Sequence, residues 1–204
     1  MEKETTNLNT TKTKSLYFLS FIEGGSLMAV EIRSAKIIAP YFGNSIYVWA
    51  AVLATTLLGL AGGYFVGGNL SIKNNARKTL FKVSFIGAFL TIILPFTSTF
   101  ILQNTLNLGL QLGTIIAAFF ILFPIVFCFG MVSPLIIFLT SQQYKNSGKN
   151  ASVVYTVSTV GGILFALLTG LYLVTTIGVQ YSHFFIGGLL FVTTLITFLI
   201  SKKN

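Results

Sequence analysis

The chain has 204 residues, 54% hydrophobic and only 8% charged, with 13 Lys and Arg against four acids, all of them Glu. A soluble domain carries about 25% charged residues, so the composition excludes an ordinary soluble globule, and the length suits one domain. The net charge of +9 would point a soluble protein toward nucleic acid; here the basic residues flank apolar stretches, so membrane topology accounts for them and no nucleic-acid partner is expected.

The spans are defined by missing charge. Lys36 is followed by no charged residue until Lys73, Lys82 by none until Lys145, and Lys149 by none until Lys202. A bilayer core of about 30 Å takes roughly 20 apolar residues per helical crossing, and each gap holds one or two crossings. Six transmembrane helices are expected, making the chain an all-α polytopic membrane protein. Cys128 and His183 are the only Cys and His, which excludes an intrachain disulfide and Cys-based metal clusters. The twenty Phe are bulk apolar material and imply no cofactor.

In chain order, residues 1–14 are polar and Thr-rich and are expected to be a disordered cytoplasmic tail. The apolar stretch that follows contains Glu23 and no small-residue cleavage site, unlike a cleavable signal peptide. Helix 1 is expected over 15–38, with Ala39-Pro40-Tyr41-Phe42-Gly43-Asn44 as a turn, because Pro and Gly punctuate. Helix 2 is expected over 45–70, helix 3 over 80–102, and 103–107 as a polar, uncharged loop. Helix 4 is expected over 108–141. Pro124 and Pro134 lie within it, each lacking an N–H for the helix ladder; together with Gly130 they form a candidate hinge or a static kink. Helix 5 is expected over 151–176 and helix 6 over 181–200, divided by residues 177–180.

Eleven of the thirteen basic residues fall before helix 1, in the 2–3 and 4–5 loops, or at the C-terminus. The positive-inside rule then puts both termini in the cytoplasm, in a cell (inner) membrane. Only Arg33 and Lys36 dissent, near the outer end of helix 1.

Gly59, Gly63 and Gly67 recur every fourth residue on helix 2, and Gly162, Ala166 and Gly170 on helix 5. Such spacing lets helix backbones approach closely in lipid. It predicts contact between helices 2 and 5, or of each with neighbours, with a homodimer seam as the alternative.

Helix 1 alone carries internal acids. Ionisable groups within a span face the bundle interior, a partner charge or water. Glu23 and Glu31 stand eight residues apart, about 80° in direction and about 12 Å in rise, so both suit one cavity for a flexible polycation or a coupled proton. Local unwinding at Glu23-Gly24-Gly25-Ser26 would free carbonyls for a cation. The alternative is structural: Glu31 pairs with Arg33 or Lys36. Tyr41, Tyr47 and Trp49 are read as an interfacial aromatic belt, or as a cation-binding box. Tyr155, Ser158 and Thr159 either pack or face a ligand. His183 is read as an interfacial side chain, with a proton relay as the alternative.

The run Glu31-Ile-Arg33-Ser-Ala-Lys-Ile-Ile-Ala39-Pro40-Tyr41-Phe42-Gly43-Asn44-Ser45-Ile-Tyr47-Val-Trp49, continuing through Leu58-Gly59-Leu60-Ala-Gly-Gly63-Tyr64 to Gly67-Gly68, resembles the membrane module of fused spermidine-synthase-like proteins. In those, a half of a major-facilitator fold is joined to a synthase-like domain. Gly130-Met131-Val132-Ser133-Pro134, Tyr155-Thr-Val-Ser158-Thr159-Val-Gly161 and Leu168-Thr169-Gly170 resemble later blocks of that module in the same order. The chain departs from the family by ending after the membrane part. With no Asp and no Gly-rich nucleotide fingerprint, aminopropyl transfer is not expected and the chain is not read as an enzyme.

The loop Gly67-Gly68-Asn69-Leu70-Ser71-Ile72-Lys73 keeps the glycines and basic end of the facilitator turn but lacks its Asp. Complete facilitators close a midplane site between two halves, so the resemblance implies a homodimer or another partner. The expected function is binding or transport of a small cationic amine such as a polyamine, with Glu23, Glu31, Tyr41, Trp49 and Tyr155 as binding residues. The alternative is a membrane anchor for a separate soluble synthase-like partner. No metal or cofactor is expected.

Overall fold

A computed structural model of the chain describes residues 2–73, 75–142 and 147–202, with side chains from Thr11 onward. Lys145 and Lys203, two of the charges used for orientation, lie outside the described residues, as does the side chain of Lys3. The described residues contain six helices long and apolar enough to cross a membrane, and no strand. This is a multi-pass membrane protein.

α1 runs Glu2–Phe42, longer than expected at both ends. No Gly or Pro interrupts residues 2–22, so the helix continues through the segment expected to be a disordered tail. Pro40 is tolerated in the last turn, and the break falls instead at Gly43. That residue has φ +81° and donates its N–H to the Ala39 carbonyl at 2.8 Å, a left-handed glycine cap.

α2 runs Ile46–Ser71 and α3 Ala76–Thr105, with a 3₁₀ turn Leu106–Leu108 before Gly109. The polar loop expected over 103–107 is largely helical. Two of its side chains bond back into the helix, Asn104 to the Phe100 carbonyl and Thr105 to that of Ile101, so these polar groups do not interrupt it. α4 is continuous over Leu110–Ser141 with Pro124 and Pro134 inside it. α5 spans Ser147–Thr176 and holds a π-helical turn, Leu168–Leu173. α6 runs Gly178–Lys202.

Two helices form the centre. In α1 and α4, 67% and 61% of the apolar segment is buried, against 28–39% in the other four. α2 packs chiefly on α4, α5 on α1, and α3 and α6 on each other and on the far side of the central pair.

The glycines explain these pairings. A Cβ at Gly63 would lie 2.6 Å from the Phe127 carbonyl oxygen and 2.8 Å from Gly130 Cα, and one at Gly67 2.7 Å from Met131 Cα. Gly59 meets Val126 in the same way. The α2 stripe is therefore a seam against α4, and Gly130 is its counterpart on α4. On α5, Gly162 faces Met28 and its neighbour Gly161 runs against the Phe21 carbonyl, so this seam is with α1. Helices 2 and 5 do not pack on each other; each uses its glycines on a central neighbour. Gly170 has nothing within 4 Å in the chain and takes no part in this seam.

Candidate functional site

Because α2 and α5 each lean on a different central helix, a gap is left between them. A groove of about 360 Å³ occupies it, with Leu60 and Tyr64 of α2 on one wall and Tyr155, Ser158, Thr159 and Gly162 of α5 on the other. Gly24, Leu27 and Met28 of α1 and Ser133 of α4 complete its lining.

Glu23 borders this groove through its neighbour Gly24. The residue is 3% exposed, and its Oε2 has no hydrogen-bond partner. A buried carboxyl oxygen without a partner is costly, the more so where the group is charged. Tyr64 is close enough to interact electrostatically with both Glu23 and Tyr155. The groove thus brings two phenol rings and one unpartnered carboxyl oxygen into one neighbourhood, the elements of a site for an organic cation.

Local packing places Glu23 there. A Cβ at Gly24 would run into the Ser158 carbonyl and hydroxyl, and one at Gly25 would lie 2.6 Å from the Phe165 ring. Ser20 donates to the Val154 carbonyl at 3.3 Å. The Glu23-Gly24-Gly25-Ser26 segment is accordingly not unwound. It is ordinary helix, with Ser26 Oγ bonded to the Ile22 carbonyl at 2.7 Å, and its glycines serve the close approach of α5.

The other candidate residues separate from this groove. Glu31 is 8% exposed and lies beside the Thr56 hydroxyl of α2, which itself donates to the Val52 carbonyl at 3.0 Å. Glu31 does not pair with Arg33. Two residues apart on a helix means about 200° apart in direction, and Arg33 points to α6, where its Nη1 donates to the Ser182 carbonyl. Its Nε donates to the Ala29 carbonyl at 2.9 Å and its Nη2 has no partner. Lys36 stands about 140° round from Glu31 on exposed surface, so it is not placed for an intrahelical bridge either.

Tyr41 packs half-buried against the core, and Trp49 is exposed. Tyr41 lies about 27 Å along α1 from Glu23, so these aromatics do not box the Glu23 carboxylate. Tyr47 lines a separate apolar groove of about 450 Å³ between α2 and α4. His183 is wholly buried inside the bundle, because α6 starts three residues earlier than expected and packs on α1 and α3.

Tyr64 and Ser133 are the polar groove residues that the sequence does not single out as ligands. The signal for Tyr64 is its position. Gly63 holds α2 against α4, and the next residue, 100° further round, turns toward α5.

Compared with known proteins, the chain matches no family model, no curated protein and no solved structure.

Proposed function

We propose that the chain binds a small organic amine, such as a polyamine, in the groove between α2 and α5, and that two copies together carry it across the membrane. The carrying observation is the buried, unpartnered Glu23 oxygen beside a mid-helix groove walled by Tyr64 and Tyr155. An ammonium group supplies the missing hydrogen bonds and the missing charge, and the phenol faces supply cation–π attraction.

The reading as half of a major-facilitator fold, and with it the kinship to the membrane module of spermidine-synthase-like proteins, draws support from the helix arrangement. Two buried helices, α1 and α4, floor a groove whose edges are α2 and α5, while α3 and α6 stand behind. One such half leaves the groove open along its side, where Leu57, Phe65, Ile163 and Leu167 are exposed. In this reading a second copy closes it. The bilayer is the cell (inner) membrane and both termini are cytoplasmic, since the described basic residues Lys73, Arg77, Lys78 and Lys149 cluster at the helix ends that share a side with the termini.

The test is uptake of radiolabelled spermidine into proteoliposomes carrying the full chain. Uptake is expected to be saturable and to be lost in Glu23→Gln, which keeps the volume and removes the charge. Undiminished uptake in that variant refutes the site.

A second reading, an anchor for a soluble synthase-like partner, is favoured by one feature: a polar pocket of about 420 Å³ where Lys73, Arg77 and Lys78 meet Gln142 at one end of the bundle. Absent uptake together with absent amine binding would leave this reading ahead.

A further inference from the structure

Arg33 is the bulkiest side chain that is wholly buried. Its guanidinium is permanently charged, yet both of its hydrogen bonds go to backbone carbonyls, those of Ala29 and Ser182. The Nη2 group has no partner. Against it lies His183, also 0% exposed, near enough for the Arg33 charge to act on the ring. His183 Nδ1 is 2.9 Å from the Val179 carbonyl and donates to it, while Nε2 is likewise without a partner. The seam continues onto the π-helical turn of α5, which packs on α1 and α6 and carries the buried, unpartnered Thr169 hydroxyl. A π turn inside an α-helix is frequent at functional sites.

No acid of the described residues answers this charge. At 100° per residue, Arg33 stands about 80° from Glu23 and about 160° from Glu31, and roughly 15 Å above Glu23 along the axis. α3 approaches α6 here with Phe96 on Phe184 and Ile92 on Gly187, and its segment from residue 83 to its end is uncharged. A water molecule would satisfy Nη2 and Nε2 but would leave the charge bare in a low-dielectric interior, the costly state.

The geometry points to a binding site for one monatomic anion of the halide class between α1 and α6, held by the free Nη2 of Arg33. Charge balance selects this class. One guanidinium answers one negative charge, so sulfate or phosphate would leave a surplus charge in the same low-dielectric interior. Two of its five N–H groups go to carbonyls, and both on Nη2 are without a partner, enough for a small singly charged anion. Further hydroxyl donors without a partner are Ser34, next to Arg33 on α1, and Thr169, on the π turn that packs against α1 and α6. This site is independent of the amine groove, which lies on another face of α1.

The test uses the full wild-type chain in two ways. Crystals grown in sodium bromide are expected to give an anomalous scattering peak beside Arg33 Nη2; a water-sized feature there with no anomalous signal overturns the proposal. In solution, adding sodium chloride to a gluconate buffer at constant ionic strength is expected to raise the unfolding temperature with saturation, as for any ligand selective for the folded state. Sodium sulfate is expected not to do so. The rise is expected to vanish in Arg33→Gln. A saturable rise of unchanged size in that variant assigns the anion elsewhere and overturns the proposal; if Arg33→Gln does not fold, the bromide experiment on the wild type decides.

Discussion

The α2–α4 seam makes a sharp prediction because one helix carries matched glycines in opposite environments. A methyl group added at Gly63 would lie 2.6 Å from the Phe127 carbonyl oxygen and 2.8 and 3.0 Å from Gly130 Cα and C, all backbone atoms that no rotamer change can move. At Gly68, five residues on, the same methyl meets nothing within 4 Å. Carbon contacts prefer about 3.5–4.0 Å, so Gly63→Ala must push α2 off α4 by roughly 1 Å at the crossing. A gap of that size forfeits a quarter to a half of each contact of about 0.1–0.2 kcal/mol. Over roughly thirty such pairs the loss is about 2 kcal/mol, within the usual range for overpacking. Both substitutions share the gain in helix propensity of up to about 1 kcal/mol, which cancels in the comparison. Gly63→Ala is therefore expected to be about 2 kcal/mol less stable than Gly68→Ala in reversible unfolding from detergent micelles, followed by helical circular dichroism. Coincident unfolding midpoints for the two variants would refute the seam.

Three further outcomes follow from the same structure. Phe129→Ala, at a wholly buried position of α4 whose ring sits against Gly87, is expected to lose about 3–5 kcal/mol of stability in the same unfolding assay; a loss under 1 kcal/mol would contradict the burial. Tyr64→Ala removes one aromatic wall of the groove and, at about 0.5–2 kcal/mol for a cation–π contact, should weaken amine binding roughly 2- to 30-fold in a titration, with Tyr64→Phe retaining most of the affinity. Cysteines introduced one at a time at Asn107 and Lys149 are expected to react with impermeant maleimide from opposite faces of oriented vesicles, while buried Cys128 stays silent; labelling from the same face would remove the proposed orientation.

Much of this architecture is legible in the sequence because lipid leaves little choice. Charge gaps and the cost of an unsatisfied backbone define six spans, and each expected span overlaps one observed helix. Boundaries are read less well, for a physical reason. In water, Pro40, Asn104 and Thr105 would mark helix ends. Here Pro40 is accommodated in the last turn, and Asn104 and Thr105 bond back to carbonyls of their own helix. Glycine with positive φ, at 43, 109 and 178, follows the ends of α1, α3 and α5, and only the backbone reveals which of the 19 glycines adopt it.

The small-residue stripes announce close approach but not the partner, since a glycine face fits any helix presenting backbone. Gly63 finds Gly130 and Gly161 finds Phe21 only once the order of helices around the bundle is known. Among the candidate residues, Tyr155 lines the groove and Glu23 lies at its edge, next to Gly24. Tyr64 joins them from a helix whose sequence reads as packing surface.

The placement of charge follows from the same packing. α1 carries every described acid, and it is also the most buried of the six helices, flanked by α5, α6, α4 and α2. A helix covered on several sides can hold ionisable groups on different faces without presenting any of them to lipid, which a peripheral helix such as α3 cannot. Direction then decides which neighbour each group meets: Glu23 lies within electrostatic reach of Tyr64 at the edge of the groove, Glu31 beside the Thr56 hydroxyl, and Arg33 against the start of α6. The register has little freedom. One residue beyond Glu23, position 24 meets the backbone of Ser158, where even a Cβ finds no room. A carboxylate moved there would force α5 away from α1 and open the wall that Tyr155 and Ser158 build. The Glu23-Gly24-Gly25 order is thus one solution to two demands on consecutive residues: an acid at the edge of the groove, and no side chain where the two helices touch.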